Sequence, residues 1–288
     1  MSANPSIVVT GAAGFIGRRV VARLALGADV IALDRAPDPG GWPEGVEYRQ
    51  LDLDREMPAF KGNRMLVHLA WSLDRADVDA QQESLRTFAR LLSQEGWTGV
   101  VGLGSAEEYG ESEGRLREDM APGSKLSAYG QAKQAAGTEL EAWSRGTGRK
   151  AVWLRPFVVY GPGQGGNMAI PFALRCARER TQGDFSEGLQ FRDFVHVDDV
   201  AAGIAAAALD LPAMKPAFAV CNLGRGEPVR LRDVLERIAA QTNARELFRF
   251  GARPMRPGEP QEQYADVATA ADLFGWRATF VTAAVLSA

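Results

Sequence analysis

The sequence predicts an α/β fold in which a parallel sheet carries helices on both of its faces. Short apolar runs alternate with longer segments of helical periodicity, and a glycine-rich turn follows the first apolar run. The chain has 288 residues and is 46% hydrophobic, so it is long enough to bury a large core. Together these observations favour a doubly wound parallel sheet.

The predicted elements follow one another in a regular order. Apolar runs of strand length cover residues 7–10, 29–33, 46–51, 65–70, 100–103, 151–154, 194–197 and 217–221. Segments of helical periodicity cover residues 15–26, 80–94, 127–143, 169–180, 198–209 and 231–241. Asp198 and Asp199 are predicted to cap the fifth of these helices. The alternation predicts parallel strands that are joined by helices.

A glycine-rich turn joins the first strand to the first helix. Its predicted ligand-binding residues are Gly11, Ala13, Gly14, Phe15, Ile16 and Gly17. The first glycine permits the tight turn, the second lets the backbone approach a pyrophosphate, and the third lets the helix pack closely on the strand. The helix N-terminus adds amide donors and the positive end of its dipole. The sequence therefore predicts a Rossmann-type unit that binds a dinucleotide.

The residues that end the second strand indicate which dinucleotide is bound. Asp34 stands 23 residues after Gly11. A carboxylate at this place accepts hydrogen bonds from the ribose hydroxyls of NAD and repels the 2′-phosphate of NADP. The adjacent Arg35 is of the type that pairs with such a phosphate. NAD is therefore the expected cofactor, and NADP stays an alternative.

The composition changes after residue 156, which suggests a division into two units. Glycine and proline cluster at residues 161–166, which predicts a loop. We expect residues 1–160 and about 192–224 to form the Rossmann-type domain. We expect residues from about 161–191 and 225–288 to form a smaller, discontinuous lobe that binds the substrate.

Tyr129 and Lys133 lie four residues apart on a predicted helix and therefore project from one face. The chain has 5 Tyr and 5 Lys, so chance produces only about 0.1 such pairs. A nearby ammonium stabilises a phenolate and lowers the tyrosine pKa from about 10. Tyr129 can then exchange a proton with a sugar hydroxyl while a hydride moves. Ser105, just after the fifth strand, is the predicted hydrogen-bond partner of the reacting oxygen.

Four segments, in this order, carry a resemblance to a known family. They are residues 104–110 (GSAEEYG), 129–133 (YGQAK), 155–163 (RPFVVYGPG) and 192–200 (RDFVHVDDV). With the GxxGxxG spacing of the first turn, the chain resembles the extended short-chain dehydrogenases/reductases of the NAD-dependent epimerase/dehydratase family. The resemblance covers nearly the whole chain and implies a nucleotide-diphosphate sugar as substrate. It also implies a homodimer formed through the helix that bears Tyr129 and the helix at 80–94.

The resemblance further implies which residues contact the ligands. Beside the cofactor it places Asp52, Leu53, Leu69, Ala70, Tyr129, Lys133 and Pro156, with Lys133 holding the nicotinamide ribose. For the substrate it implies Ser105, Ala106, Glu107, Asn167, Arg192 and Arg256, the two arginines clamping the pyrophosphate. Trp71 stands where the family has a small residue, and Glu108 replaces an apolar one. For His68 a structural role is expected.

Such a scaffold can carry out three reactions, which are 4,6-dehydration, 4-keto reduction and 4-epimerisation. Dehydration is disfavoured because Ala106 stands where family dehydratases carry the aspartic acid that donates a proton. The segment at 104–110 is most similar to reductases of 4-keto-6-deoxy sugars, whereas Asp34 favours bound NAD and 4-epimerisation. We therefore expect a 4-ketoreductase slightly ahead of a 4-epimerase. A non-catalytic dinucleotide sensor is a remote alternative, because such proteins commonly lose the tyrosine or lysine that is present here.

Charge and composition argue against other classes of partner. The net charge is −3 with no basic block, which disfavours nucleic acid and anionic membranes. The longest uncharged stretch, residues 156–174, contains three prolines and four glycines and is not typical of a membrane span. The N-terminus lacks the positive region of a signal peptide. Cys176 and Cys221 suit a reducing cytoplasm, which is the expected location, and no metal is expected.

Overall fold

A computed structural model describes residues 5–60, 62–121, 123–165, 168–256 and 258–280. Asn167, one of the predicted substrate residues, lies outside the described residues. The strands are, in chain order, β1 (Ser6–Thr10), β2 (Asp29–Asp34), β3 (Val46–Gln50), β4 (Arg64–His68), β5 (Trp97–Leu103), β6 (Gly114–Leu116), β7 (Lys150–Pro156), β8 (Val158–Tyr160), β9 (Gly183–Phe185), β10 (Phe191–Arg192), β11 (Phe194–His196), β12 (Phe218–Leu223), β13 (Val229–Arg230), β14 (Phe248–Phe250) and β15 (Glu262–Ala265).

The helices alternate with these strands. They are α1 (Gly17–Leu24), α2 (Val78–Leu92), α3 (Ala128–Thr147), α4 (Ala169–Glu179), α5 (Val197–Asp210), α6 (Leu231–Gln241) and α7 (Ala268–Phe274). Short 3₁₀ helices cover Ala106–Tyr109, Leu211–Ala213 and Arg245–Leu247.

The main sheet has seven strands in the order β12-β7-β5-β4-β1-β2-β3, and every neighbouring pair is parallel. The chain starts at the centre with β1, runs outward to β3 and returns to β4 on the other side of β1. This reversal of direction is the place where open α/β sheets bind ligands. Helices α1 and α5 pack together, as do α2 and α3. The predicted doubly wound Rossmann-type fold is thereby confirmed.

Two apolar cores cover the faces of the main sheet. The first joins inward-facing strand residues such as Val9 and Val67 to Val20 of α1 and Ile204 of α5. The second joins Val8 and Leu66 to Phe88 of α2 and Leu140 of α3. The alternation of Val8 and Val9 between the cores follows from the two-residue period of a strand. Both faces are therefore buried, as a parallel sheet requires.

The second half of the chain forms further, smaller sheets. A four-stranded sheet has the order β13-β10-β15-β6, and β11 pairs with β8 and β14 with β9. A third core gathers Ile170 of α4, Phe185 of β9 and Ile238 of α6. Helix α7 instead contributes Ala270 and Phe274 to the first core of the main sheet. This helix lies within the range expected to form the substrate lobe, and the division into two domains stays a prediction.

The beginning of helix α5 differs from the sequence prediction. The cap is His196, whose Nδ1 accepts a hydrogen bond from the Asp198 backbone N–H at 3.3 Å. The prediction that Asp198 and Asp199 cap this helix is wrong, because both residues lie within its first turn, near the positive end of the dipole. Their carboxylates have other partners: Asp198 pairs with Arg19 at 2.9 Å, and Asp199 accepts from Thr279 Oγ1 at 2.9 Å.

Along the described ranges of the chain, no helix combines the length and the apolar character that crossing a membrane requires.

Candidate active site

The candidate site lies along the edge of the main sheet where its parallel strands end. The phosphate loop leaves β1 at Gly11, whose φ of +68° favours glycine. A Cβ atom at Gly11 would lie 2.7 Å from the Ala70 backbone nitrogen, and one at Gly17 would lie 2.1 Å from the Gly11 carbonyl oxygen. Loop, helix α1 and the end of β4 are therefore packed backbone against backbone. The N-cap residue Ile16 makes no side-chain cap hydrogen bond.

Asp34 ties this loop to the end of β2. Its Oδ2 accepts a hydrogen bond from the Ala13 N–H at 3.0 Å, and its Oδ1 accepts one from the Ala36 N–H at 2.9 Å. A carboxylate can accept about four hydrogen bonds, so acceptor capacity is left for ribose hydroxyls. Arg35 is exposed beside it. The glycine cradle and this carboxylate fit a dinucleotide with an unmodified ribose.

The other predicted cofactor residues surround the same edge. Leu53 is buried, while the Asp52 carboxylate pairs with Arg55 at 3.3 Å. The Leu69 N–H donates to the Thr10 carbonyl oxygen at 3.2 Å, and the Ala70 N–H contacts Thr10 Oγ1 at 3.3 Å. Pro156 is the last residue of β7 and is buried. Leu69 and Ala70 thus lie against the phosphate loop, whereas Pro156 ends a strand three positions away from β1 in the same sheet.

His68 is held inside the protein. Its Nδ1 lies 2.8 Å from Thr10 Oγ1, and its ring stacks on Phe88 with centroids 4.7 Å apart. Burial, with a smaller effect from Lys133, lowers the pKa of His68 to about 3. The imidazole is therefore neutral at physiological pH, which fits the structural role expected for it.

Ser105, Tyr129 and Lys133 converge beyond the end of β5. Ser105 is the N-cap of the 3₁₀ helix Ala106–Tyr109, and Ser127 caps α3 by accepting from the Gly130 N–H at 3.0 Å. Lys133 is buried and its Nζ donates to the Leu103 carbonyl oxygen at 2.7 Å, while 5.7 Å separates Nζ from the centre of the Tyr129 ring. The Ser105 side chain is near enough to the Tyr129 hydroxyl to lower the pKa of that tyrosine. The structure therefore assembles the three predicted catalytic residues.

Burial dominates the acid–base properties of this cluster. It raises the pKa of Tyr129 to about 12, against the lowering effects of Arg75 and of the Ser105 hydrogen bond. It also lowers the pKa of Lys133 to about 7, and Glu108 opposes that shift. Without further positive charge nearby, Tyr129 keeps its proton at neutral pH. A cation bound beside the ring would favour the phenolate.

The loop that follows β4 adds Trp71, which the sequence had marked as a bulky residue that narrows the site, and Arg75, which sequence reasoning did not assign to the site. The Trp71 ring centre lies 3.7 Å from Lys133 Nζ, and Trp71 Nε1 donates to the buried Gln81 of α2 at 2.7 Å. The Arg75 guanidinium lies 4.7 Å from the centre of the Tyr129 ring. The unusual bulk of Trp71 was a signal in the sequence, whereas Arg75 carries no motif that distinguishes it from the other arginines.

Glu107, a predicted substrate residue, is already engaged by the protein. Its Oε1 pairs with Arg75, and its Oε2 accepts a hydrogen bond from Ser127 Oγ at 2.8 Å. The preceding Ala106 is half-buried at the start of the same 3₁₀ helix. Glu107 therefore links the loop after β4 to the N-terminus of α3, one turn from Tyr129.

The two arginines predicted to bind the pyrophosphate both lie near Glu259. Arg192, at the end of β10, is largely buried and its Nη2 contacts Glu259 Oε1 at 3.0 Å. The Glu259 N–H donates to the Arg256 carbonyl oxygen at 3.1 Å, and the Arg256 side chain is exposed. Burial lowers the pKa of Arg192, which Glu259 opposes. Glu259 thus connects the segment of Arg192 with that of Arg256. Its carboxylate forms an ion pair with the Arg192 guanidinium.

Within the part of the chain that the structure describes, no cluster of three or more His, Cys, Asp or Glu residues is arranged to hold a metal ion.

Two proteins of named activity are similar to this chain over nearly its whole length. The dTDP-6-deoxy-L-talose 4-dehydrogenase (NAD(P)(+)) of Kitasatospora kifunensis is 29% identical, over 96% of this chain and 91% of its own length. The UDP-glucuronate 4-epimerase of Thermodesulfobacterium geofontis (strain OPF15) is 26% identical, over 93% of this chain and 91% of its own.

Solved structures and a family model extend the comparison. MoeE5 in complex with UDP-glucose and NAD superposes with a TM-score of 0.84 at 30% identity, covering 98% of this chain and 96% of MoeE5. The UDP-glucuronic acid 4-epimerase from Bacillus cereus shares the fold, with a TM-score of 0.82 at 24% identity, over 98% of this chain and 97% of its own. The model of the NAD dependent epimerase/dehydratase family matches residues 7–224. With the glycine cradle and the Ser–Tyr–Lys cluster in place, the chain belongs to this family of extended short-chain dehydrogenases/reductases.

Proposed function

We propose that this protein is an NAD-dependent 4-epimerase of a nucleotide-diphosphate sugar. The observation that carries the proposal is the convergence of Ser105, Tyr129 and Lys133 beside a phosphate loop that is tied to Asp34. The similarity to a UDP-glucuronate 4-epimerase and to MoeE5, whose structure contains UDP-glucose and NAD, supports it. The 4-ketoreductase that the sequence slightly favoured becomes the second candidate, supported by the similarity to a nucleotide-sugar 4-dehydrogenase.

Each residue of the cluster has a defined task in this reaction. The phosphate loop and Asp34 would hold NAD, which supplies a hydride acceptor and donor at its nicotinamide. Tyr129, as the phenolate, takes the proton of the sugar 4-hydroxyl and later returns a proton to the 4-oxygen. Ser105 donates a hydrogen bond to that oxygen, and the Lys133 ammonium stabilises the phenolate. Arg192 and Arg256 are proposed to bind the pyrophosphate of the substrate.

The proposal predicts that the purified protein retains its cofactor. An epimerase returns the hydride to the sugar within one active site and therefore has no need to release its cofactor. We expect that denaturing the purified protein releases NAD, which ultraviolet absorption and mass spectrometry detect. We also expect a UDP-hexose or UDP-hexuronate to be converted to its 4-epimer without added cofactor. An empty site that oxidises added NADH or NADPH only with a 4-keto sugar would support the reductase instead. Absence of turnover together with a cofactor-dependent protein partner would support a sensor.

We expect Asp34→Ala to weaken binding of NAD by about 10–150-fold, because hydrogen bonds to a charged group contribute about 1.5–3 kcal/mol. Affinity for NADP should fall less, since the carboxylate that repels its 2′-phosphate is gone. Fluorescence titration of both reduced cofactors into the cofactor-stripped protein measures the ratio. Asp29→Ala removes an exposed carboxylate from the other end of β2 and serves as the control. An unchanged NAD-to-NADP ratio in Asp34→Ala would contradict the assigned role.

We also propose a homodimer formed through α2 and α3. This proposal follows from the family resemblance, and Ala89 and Leu92 of α2 and Trp143 of α3 line a groove between these two helices. The cytoplasmic location stays a prediction.

A further inference from the structure

A buried carboxylate lies directly beneath the predicted catalytic serine. Glu108 is 2% exposed, within the 3₁₀ helix Ala106–Tyr109. Removing a carboxylate from water costs several kcal/mol unless charged or hydrogen-bonding partners replace the water. At this position, where the resemblance implies an apolar residue, the chain holds a carboxylate together with charged and hydrogen-bonding partners.

The partners of Glu108 connect it to the catalytic cluster. Its Oε1 accepts from the Ser105 N–H at 2.8 Å and from Trp153 Nε1 at 3.0 Å, and its Oε2 accepts from Arg155 Nε at 2.8 Å. The Glu107 N–H donates to Ser105 Oγ at 3.2 Å. The backbone and the hydroxyl of Ser105 are thus both held by the first turn of this helix. A displacement of Glu108 would therefore move the backbone of Ser105.

Lys133 faces charged and titratable groups from each neighbouring element. These groups are His68 on β4, Arg75 in the loop after β4, Tyr129 on its own helix and Glu108 on the 3₁₀ helix. Arg75 acts in the same direction as burial and lowers the pKa of Lys133, whereas the negative charge of Glu108 raises it. Trp153 bridges the two residues: its Nε1 donates to Glu108, and its ring centre lies 5.9 Å from Lys133 Nζ.

We propose that Glu108 is a positioning residue of the catalytic site, whose carboxylate orients Ser105 through the Ser105 backbone N–H and places a negative charge near Lys133 on the other side of Trp153. Arg155 holds this carboxylate in place from the side opposite to Ser105. Arg155 is itself packed on the Tyr109 ring at 4.9 Å, and the Tyr109 hydroxyl donates to Asn222 of β12 at 2.7 Å. The role in catalysis rests on the proposed function, while the effect on Lys133 does not.

The test measures the protonation of Lys133 directly. The chain has only 5 Lys, so ¹³C-lysine labelling gives few NMR signals, and Lys133→Arg assigns the signal of interest. In Glu108→Gln, which keeps the shape and one acceptor oxygen, we expect the titration midpoint of Lys133 to fall by about one pH unit. Glu139→Gln is the control, because it removes the charge of a half-buried carboxylate on α3, the helix that bears Lys133. It should leave the titration midpoint of Lys133 unchanged.

A second variant and a pH profile of turnover test the same inference independently. Glu108→Asp withdraws the carboxylate without removing its charge and should lower the midpoint by a smaller amount, which covers the case that the Gln variant does not fold. If the 4-epimerase activity is found, the loss of turnover at high pH should move to lower pH by the same amount in Glu108→Gln, because Lys133 must be protonated. A Lys133 midpoint that is unchanged in a folded Glu108→Gln protein overturns the inference. Absence of turnover alone overturns only the proposed function.

Discussion

Tyr129→Phe is expected to lower turnover of a nucleotide sugar by about 10²–10⁴-fold, because the variant has no group that can move the proton of the 4-hydroxyl. Binding of NAD should be almost unchanged, since the phosphate loop and Asp34 are untouched. Steady-state turnover and a cofactor titration on the same preparation separate these two effects. The ring of the variant still packs beside Arg75 and Lys133, so the fold is expected to survive.

Tyr264→Phe is a suitable control for this experiment. Tyr264 lies on β15 in the small sheet, so loss of its hydroxyl should leave turnover at the wild-type level. Turnover by Tyr129→Phe at the rate of this control would refute the assignment of Tyr129 as the proton-transfer group. The high pKa of Tyr129, which burial raises to about 12, adds a second expectation. In the cofactor-free protein the tyrosine should not titrate below pH 9, which an ultraviolet pH titration of the wild type against Tyr129→Phe can follow.

Gly17→Ala is expected to destabilise the protein by about 3 kcal/mol and to abolish binding of the dinucleotide. A methyl group at this position would lie 2.1 Å from the Gly11 carbonyl oxygen and 2.9 Å from the Ala12 Cα atom. Both atoms belong to the backbone of the phosphate loop, so a side-chain rotation cannot relieve the contact. The loop must then move away from α1, which separates the amides that would bind the pyrophosphate from the helix N-terminus.

The stability change is measured by urea unfolding and the binding change by titration with NADH. Gly27→Ala is the matched control, because no atom lies within 4 Å of a Cβ atom at Gly27. That variant should stay within about 0.5 kcal/mol of the wild type and bind the cofactor normally. Equal free energies of unfolding for the two alanine variants would show that the close packing of α1 on the phosphate loop does not contribute to stability.

The loop after β4 covers the candidate active site. Trp71 lies on Lys133 and Arg75 lies on Tyr129, and Gln81 holds the loop by accepting from Trp71 and donating to the Asp74 carbonyl oxygen at 2.7 Å. These contacts explain part of the burial that shifts the two pKa values. They also narrow the space beside Lys133 in a way that a small residue at position 71 would not.

The parallel sheet, the phosphate loop and the spacing of Tyr129 and Lys133 could all be predicted from the sequence. These features depend on local rules: a two-residue strand period, a positive φ at a glycine turn, and the four-residue spacing that puts two side chains on one face of a helix. The predicted catalytic residues could therefore be assigned before their surroundings were known. The choice between epimerase and reductase could not, because both reactions use the same three side chains.

The surroundings of those residues became known from the folded protein alone. It replaced the expected cap of α5 with His196, brought α7 into the core of the main sheet, and paired Arg192 with Glu259. It also placed Trp71 on Lys133, 62 positions apart in the chain, and Glu108 beneath Ser105 with Arg155 as its partner. Such contacts join segments that are distant in sequence, and no local periodicity encodes them. The physical chemistry of the catalytic pair therefore depends on neighbours that folding alone supplies.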